Sequence, residues 1–408
     1  MPSQPPFPPD SLLSKLHGCI FGSALGDTLG LYTEFLSQAQ STAIYPSGRF
    51  RLVPPTTPYH LDAHRLRWPE PFARRLHIWV SQGLLALNRP AMGIGALVGS
   101  VVGAATFLAD PVGTATRAWI ASGRKAAPNG SLMRTHPVGV MGVLWSEAET
   151  WRLSVSLGRV THVDPRCVVA CCVSVGLVRG LLRGEVVTEG HVDGVVERAF
   201  EWVGGQPGLV NPGGNAEQRL DYGEFSRHAY APSLEALRLD SPREIGYVYK
   251  CLGAAVLLLR LAMRGVASAE SGASTESGVS VLFETLITSL ILQGGDADTN
   301  AAAAGALLGA YLGYSNLPLH WVDGLQHREW LMAKSVRFAV AVGAVEGGTL
   351  EEESDEGESG AGGLMTEREL GERRRVLREE GRRRVRERRK EIERGSVMER
   401  NQKPEDGR

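Results

Sequence analysis

Apolar residues in this chain recur mostly at helical spacing, and the polar breaks between them mark where the helices should end. The first stretch, 12–30, follows a capping residue, Ser11, and carries Gly18, Gly22, Gly26 and Gly30 at every fourth position. That spacing puts the four glycines on one helix face, where the lack of side chains lets a second helix approach closely. Residues 45–72 are rich in proline and lack helical periodicity, which predicts a long loop. Packed helices are expected over 76–87 and 95–107, and a Pro-Asn-Gly turn at 128–130 precedes another over 131–145. Asp164-Pro165 supplies a cap and a first-turn proline for a helix over 166–182. Further apolar helices are expected at 245–264, 301–312 and 330–344, with Gly-, Pro- and Ser-rich surface loops at 204–215 and 267–278. Strict alternation is nearly absent, so strands should be scarce and the fold class is all-α.

Beyond Val345 the composition changes. Residues 351–359 form an acidic run, 360–363 a flexible joint, and 366–394 are mostly Arg and Glu. Interleaved Glu and Arg support an exposed helix or a solvated, disordered tail, and no aromatic residue is there to stack on bases. The expected organisation is a disordered N-terminus (1–10), a helical domain (11–345) and a charged C-terminal tail (346–408). The 44 basic and 45 acidic residues nearly cancel, so no global field favours nucleic acid or an anionic membrane. Cys19, Cys167, Cys171, Cys172 and Cys251 lie in apolar runs without CxxC pairing, and read as reduced core residues. Residues 1–9 do not resemble a signal peptide. The most apolar segments, 168–182 and 252–263, are short for a bilayer or interrupted by Arg179 and Arg260. A soluble, monomeric protein of the cytoplasm or nucleus is expected.

The densest chemistry lies at Leu292-Gln293-Gly294-Gly295-Asp296-Ala297-Asp298-Thr299-Asn300, which runs into an alanine-rich helix. Asp296, Asp298 and Thr299 can turn three hard oxygens toward one point, which suits Mg²⁺, Mn²⁺ or Ca²⁺ better than zinc. On spacing alone a helix cap is the plainer reading, since Asp and Thr both cap well. Three other segments precede it in order. The first is Gly18-Cys19-Ile20-Phe21-Gly22-Ser23-Ala24-Leu25-Gly26-Asp27-Thr28-Leu29-Gly30, with Glu34 seven residues after Asp27. The second is Asn129-Gly130-Ser131-Leu132-Met133-Arg134-Thr135-His136-Pro137, and the third Thr161-His162-Val163-Asp164-Pro165.

Taken together, the four segments resemble the ADP-ribosylglycohydrolase family over about residues 11–344. The resemblance implies a compact orthogonal multi-helix bundle with a central cleft that holds two Mg²⁺ or Mn²⁺ ions. It implies Asp296, Asp298 and Thr299 as metal ligands. It assigns Asn129, Gly130, Ser131, Leu132, Met133 and Arg134 to a turn around the substrate's ribose and phosphates, and His162 to an ADP-ribose contact. Glu34 and Asp298 are then the expected catalytic carboxylates. The implied activity is release of ADP-ribose from modified protein side chains or related conjugates, and the implied partner is an ADP-ribosylated protein. Asp27 reads as a buried structural carboxylate, and Ile245-Gly246-Tyr247 as a further stretch of pocket lining.

One expected element is missing. The family pattern places a Thr-Asp-Asp-Thr segment, the other half of the metal site, a few tens of residues after Glu34. The chain contains no such segment. Arg67-Trp68-Pro69-Glu70-Pro71-Phe72-Ala73 stands at about that place, and Arg74-Arg75-Leu76 already resembles a later helix. A ligand-bearing segment is therefore expected to be absent at 73–75, leaving one metal ion at most. Two alternatives to an active hydrolase follow: a catalytically inactive ADP-ribose-binding protein, and a structural use of the fold.

Overall fold

The computed structural model describes residues 9–50, 52, 69–84, 87, 89–91, 93–214, 220–270, 279, 281–345, 365–366, 368–373, 375–376, 378–379 and 383. The chain divides into two compact units: Met1–His77 with Gly93–Glu351, and Ile78–Met92 with Glu352–Arg408. The helices run in the order α1 (Pro9–Gly30), α2 (Gln38–Ile44), α3 (Pro69–Gln82), α4 (Ala96–Val102), α5 (Pro111–Ala121) and α6 (His136–Met141). They continue with α7 (Glu147–Gly158), α8 (Pro165–Leu182), α9 (Glu189–Gly204), α10 (Pro207–Val210), α11 (Tyr222–Ala229) and α12 (Leu234–Leu237). The last are α13 (Val248–Glu270), α14 (Leu282–Ile291), α15 (Ala297–Leu312), α16 (Leu319–Val322) and α17 (Arg328–Ala341). Among the described residues the only β pairing is two isolated bridges, Leu84 with Arg89 and Pro128 with Tyr247. The fold is all-α.

At the centre of the first unit, α1 lies along α15, and α8, α13 and α14 pack around α15. The glycine stripe explains the closeness of the pair. A methyl group at Gly18 would sit 2.2 Å from the Gly309 carbonyl oxygen, one at Gly22 2.1 Å from that of Gly305, and one at Gly26 1.9 Å from that of Ala301. At the end of the stripe, a methyl at Gly30 would meet the Asp298 Cα at 2.2 Å. The partner positions fall by about four as those of α1 rise by four, so the two helices run antiparallel with backbone on backbone. Residues 16–30 of α1 and 297–310 of α15 are buried on every face, which is why neither shows a polar stripe.

Local signals set many of the boundaries. Ser37 and Gln40 form a reciprocal capping box on α2, as Ser146 and Glu149 do on α7. Asp164 caps α8 as expected, its carboxylate accepting from the Arg166 N–H, with Pro165 in the first turn. Other expectations need correction. The helix expected over 131–145 is broken: Asn129–Ser131 is a 3-10 turn, α6 starts only at His136 with Pro137 in its first turn, and a second 3-10 turn follows at Gly142–Leu144. Proline has no N–H to continue a preceding helix, so it starts a new one. The loop expected over 45–72 gives way to α3 at Pro69, and that helix stops at Gln82 because Gly83 turns left-handed (φ 75°). Helix α4 is shorter than expected, while α13 reaches Glu270, inside the stretch read as a loop. Helices α2, α5, α7, α9, α10, α11, α12, α14 and α16 have no counterpart among the elements expected from the sequence.

Length does not exclude α8 and α13 as membrane spans: Pro165–Leu182 and Val248–Ala269 are long and apolar enough by composition. Their windows are 94% and 67% buried inside the protein, however, which is how core helices behave. All five cysteines are free and buried. In the second unit, Thr366 and Glu369 cap a charged helical stretch at 368–373, and Arg373 Nε donates to the Gln82 carbonyl at 3.0 Å. Residues 1–8, 53–68 and 351–359, which hold the expected N-terminal tail, most of the expected loop and the acidic run, lie outside the described residues.

Candidate active site

Four segments meet at the start of α15. Gly294 and Gly295 both take left-handed backbone (φ 70° and 72°), a region that glycine enters freely and other residues rarely do. Side chains there would also strike the carbonyl oxygens of Leu36, at 2.1 Å, and Leu239, at 2.2 Å. The close fit allows two backbone hydrogen bonds: Phe35 N–H to the Gly295 carbonyl (2.6 Å) and Gly295 N–H to the Leu36 carbonyl (2.8 Å). The loop after α1, which carries Glu34, is thereby tied to the residue before Asp296. Phe35 itself adopts φ 61°, unusual for a large side chain.

Asp296 stands at the N-cap position of α15, yet its side chain makes no capping bond. Its Oδ2 instead accepts from Asn129 Nδ2 at 2.9 Å. Asn129 is held in place because its own N–H donates to the Gly246 carbonyl (3.0 Å), beside the Pro128–Tyr247 bridge. A methyl at Gly246 would lie 3.3 Å from Asp296 Oδ2, so Gly246 of the Ile245-Gly246-Tyr247 stretch lies against the acidic group, while the Tyr247 hydroxyl donates to Glu224. The cap reading placed Asp296 correctly but not its oxygens.

Asp298 is buried, and Oδ1 accepts from the Thr299 N–H at 2.8 Å. Thr299 Oγ1 donates to the Met133 sulfur at 3.5 Å, joining the second segment to the fourth. The carboxyl of Asp298 is pushed well above the usual carboxylate range, first by burial, then by the charge of Asp27, of Asp296 and of Glu34. Glu34 is raised as well, by burial and then by the charge of Asp296. Asp27, read from sequence as merely structural, thus belongs to the acidic group. Gly26 and Gly30, on either side of it along α1, face Ala301 and Asp298.

Across the site, Gly130 lies beside His162: a methyl on it would stand 3.5 Å from His162 Nε2. Ser131 Oγ accepts from the Cys171 thiol at 3.4 Å, and Leu132 and Met133 are buried. Arg134 donates to Thr161 Oγ1 at 2.6 Å and lies 5.3 Å from the Phe72 ring centre. Burial lowers its guanidinium to about 10. Thr161 Oγ1 is in turn 2.7 Å from His162 Nδ1. Burial, and then the positive charge of Arg134, press the His162 imidazole well below its ordinary value, so it is neutral. The crevice between Ser131, Ser154, Arg159 and His162 beside it has no room for even a water molecule, so it is not a nucleotide cavity.

All the sequence-predicted site residues therefore fall in two facing groups: Glu34, Asp296, Asp298 and Thr299 on one side, and the Asn129–Arg134 turn with His162 on the other. The bonds from Asn129 and Thr299 link them. Hard oxygens and surplus negative charge of this kind are what divalent cations such as Mg²⁺ take as surroundings. Among the described residues no group of three or more His, Cys, Asp or Glu side chains is placed to hold an ion, and the Thr-Asp-Asp-Thr segment is missing from the sequence.

Fold and site together define an all-helical protein with a buried acidic group at a helix start, opposite a turn that carries Asn129, Ser131 and Arg134. The family model for ADP-ribosylglycohydrolase matches residues 8–349, and the chain belongs to that family of hydrolases. A solved structure described as an ADP-ribosylglycohydrolase-related protein complex is 20% identical, with 82% of this chain and 99% of that chain covered and a TM-score of 0.43. Comparison with curated proteins gives no match.

Proposed function

We propose that this protein hydrolyses ADP-ribose from modified protein side chains or related ADP-ribose conjugates, at a carboxylate site that takes at most one Mg²⁺ or Mn²⁺. The observation that carries the reading is the hydrogen bond from Asn129 to Asp296. It couples the turn that the family resemblance assigns to ribose and phosphates with the acids that would act on the bond at the distal ribose. Asp296, Asp298 and Thr299, with Glu34 beside them, would hold the ion. When bound, it would supply charge that orients ribose hydroxyls and acidifies water. The chain's own groups supply the rest. Glu34 is half-buried with a raised carboxyl, so it can hold and release a proton closer to neutrality than an ordinary glutamate. Asp298 is the second carboxylate of the pair. Asn129 fixes the rotamer of Asp296, and the Gly130–Ser131 backbone lies where an anionic oxygen would meet N–H groups.

A second reading, binding of ADP-ribose without turnover, is favoured by one observation: among the described residues no three His, Cys, Asp or Glu side chains are placed to hold a metal ion. Calorimetry with Mg²⁺ and with ADP-ribose, on wild type and Asp298→Ala, separates the two when paired with an assay for ADP-ribose release from ADP-ribosylated arginine and serine peptides. Release that needs Mg²⁺ and vanishes in Asp298→Ala supports the hydrolase. ADP-ribose binding without release supports the second reading. Unchanged Mg²⁺ affinity in Asp298→Ala removes the metal assignment.

A further inference from the structure

We infer that Thr161 fixes His162 as the Nε2–H tautomer and so presents that N–H as a hydrogen-bond donor to an anionic oxygen of a ligand at the Asn129–Arg134 turn. The ligand half of this inference rests on the proposed function; the tautomer half does not.

The argument is a count of donors and acceptors. Arg134 can only donate, so its 2.6 Å contact uses Thr161 Oγ1 as an acceptor. The Thr161 hydroxyl proton then needs an acceptor of its own, and His162 Nδ1 lies 2.7 Å away. Thr161 is 1% exposed, so water does not supply another. With Nδ1 accepting, the imidazole proton sits on Nε2. The opposite tautomer would strand both the Thr161 proton and the Nε2 lone pair, whereas this one strands only the Nε2–H. Each buried polar group left unmade costs about 1 to 3 kcal/mol, so the tautomer with fewer of them wins.

His162 is 2% exposed, and Nε2 has no hydrogen-bond partner. A buried donor of this kind calls for a function. Beside it lies Gly130, the one residue of the turn without a side chain, where a methyl would reach 3.5 Å from Nε2. That is ordinary contact rather than a clash, so alanine is tolerated there sterically but covers the donor. The same chain of bonds fixes Arg134, and the guanidinium and the neutral imidazole therefore act on one ligand as a charge and a directed donor.

Two measurements test the inference. Long-range ¹H–¹⁵N correlation spectra of the ¹⁵N-labelled free protein read the His162 tautomer directly. The Nε2–H pattern is expected in wild type and in Thr161→Ser, with Nδ1–H signal appearing in Thr161→Val. Calorimetry with ADP-ribose should show affinity about tenfold weaker in Thr161→Val, the worth of one hydrogen bond, and restored in Thr161→Ser. Gly130→Ala should keep the Nε2–H pattern and still lose affinity. An Nδ1–H pattern in wild type overturns the inference, whether or not Thr161→Val folds. Wild-type affinity in Gly130→Ala overturns the ligand half. If wild type shows Nε2–H but binds no ADP-ribose, the proposed function and the ligand half both fall, and the tautomer relay stands.

Discussion

Along the α1–α15 seam, main chain lies on main chain, and four glycines on one helix meet Gly309, Gly305, Ala301 and Asp298 on the other. On the facing wall, Arg134, Thr161 and His162 are joined instead by two side-chain hydrogen bonds. Both regions position the same site. The seam does so by excluded volume, which places the first turn of α15 against the end of α1 and tolerates no added atom. The wall does so by matching donors to acceptors, which fixes orientation and protonation. A close-packed seam should fail abruptly, a polar wall by degrees.

The sharpest way to break this contrast is Gly26→Val. Its first added carbon would lie 1.9 Å from the Ala301 carbonyl oxygen, and backbone cannot move aside as a side chain can. We expect a loss of more than about 3 kcal/mol, read as failure to fold or loss of cooperative urea unfolding. A variant of wild-type stability would mean that the seam is looser than described.

The next effect has the opposite sign. Because the Asp298 carboxyl is raised in the fold, the folded state binds its proton more tightly than the unfolded chain does. Metal-free protein should therefore lose stability as pH rises above the ordinary aspartate value of about 4. Asp298→Asn removes that slope. Without added metal it should be more stable than wild type at pH 8 by at least about 1.4 kcal/mol, the equivalent of one pKa unit, and no more stable near pH 4. Thermal unfolding at the two pH values decides it; a variant less stable at pH 8 contradicts the crowded-carboxylate picture.

Asn129→Ala tests the bond between the two groups. Loss of a buried amide donating to a carboxylate should cost about 2 kcal/mol, seen as a lower urea midpoint with an unchanged slope. The smallest change is Ser37→Ala, which removes the cap of α2 just beyond the Glu34 loop. About 1 kcal/mol of stability should go, with ADP-ribose affinity unaffected. A large affinity loss there would mean that the α2 cap, and not only the Phe35–Gly295 pairing, holds Glu34 in place.

The glycine stripe, the Asp164 cap and the Asp-x-Asp-Thr segment were legible along the chain because each is a local pattern whose partner is backbone or its own helix. The break of 131–145 was not read, although Pro137 marks it. Asp27 was not legible as a member of the acidic group, since Asp298, whose carboxyl its charge raises, stands 271 positions away in the chain. Nor was the destination of the Asp296 oxygen, because N-cap position and capping bond usually go together and here Asn129 takes the oxygen instead.

Sequence by itself determined that this is an all-helical protein, where its closest helix contact lies, and which short segments carry chemistry. Helical period, steric freedom at glycine and the choice of oxygen donors are all written residue by residue. Tertiary structure alone decided which of those groups share a charge environment, which hydrogen bonds they spend on one another, and that Nε2 of His162 is left with none. Burial and long-range charge act through space, and the chain order does not encode the distances that govern them.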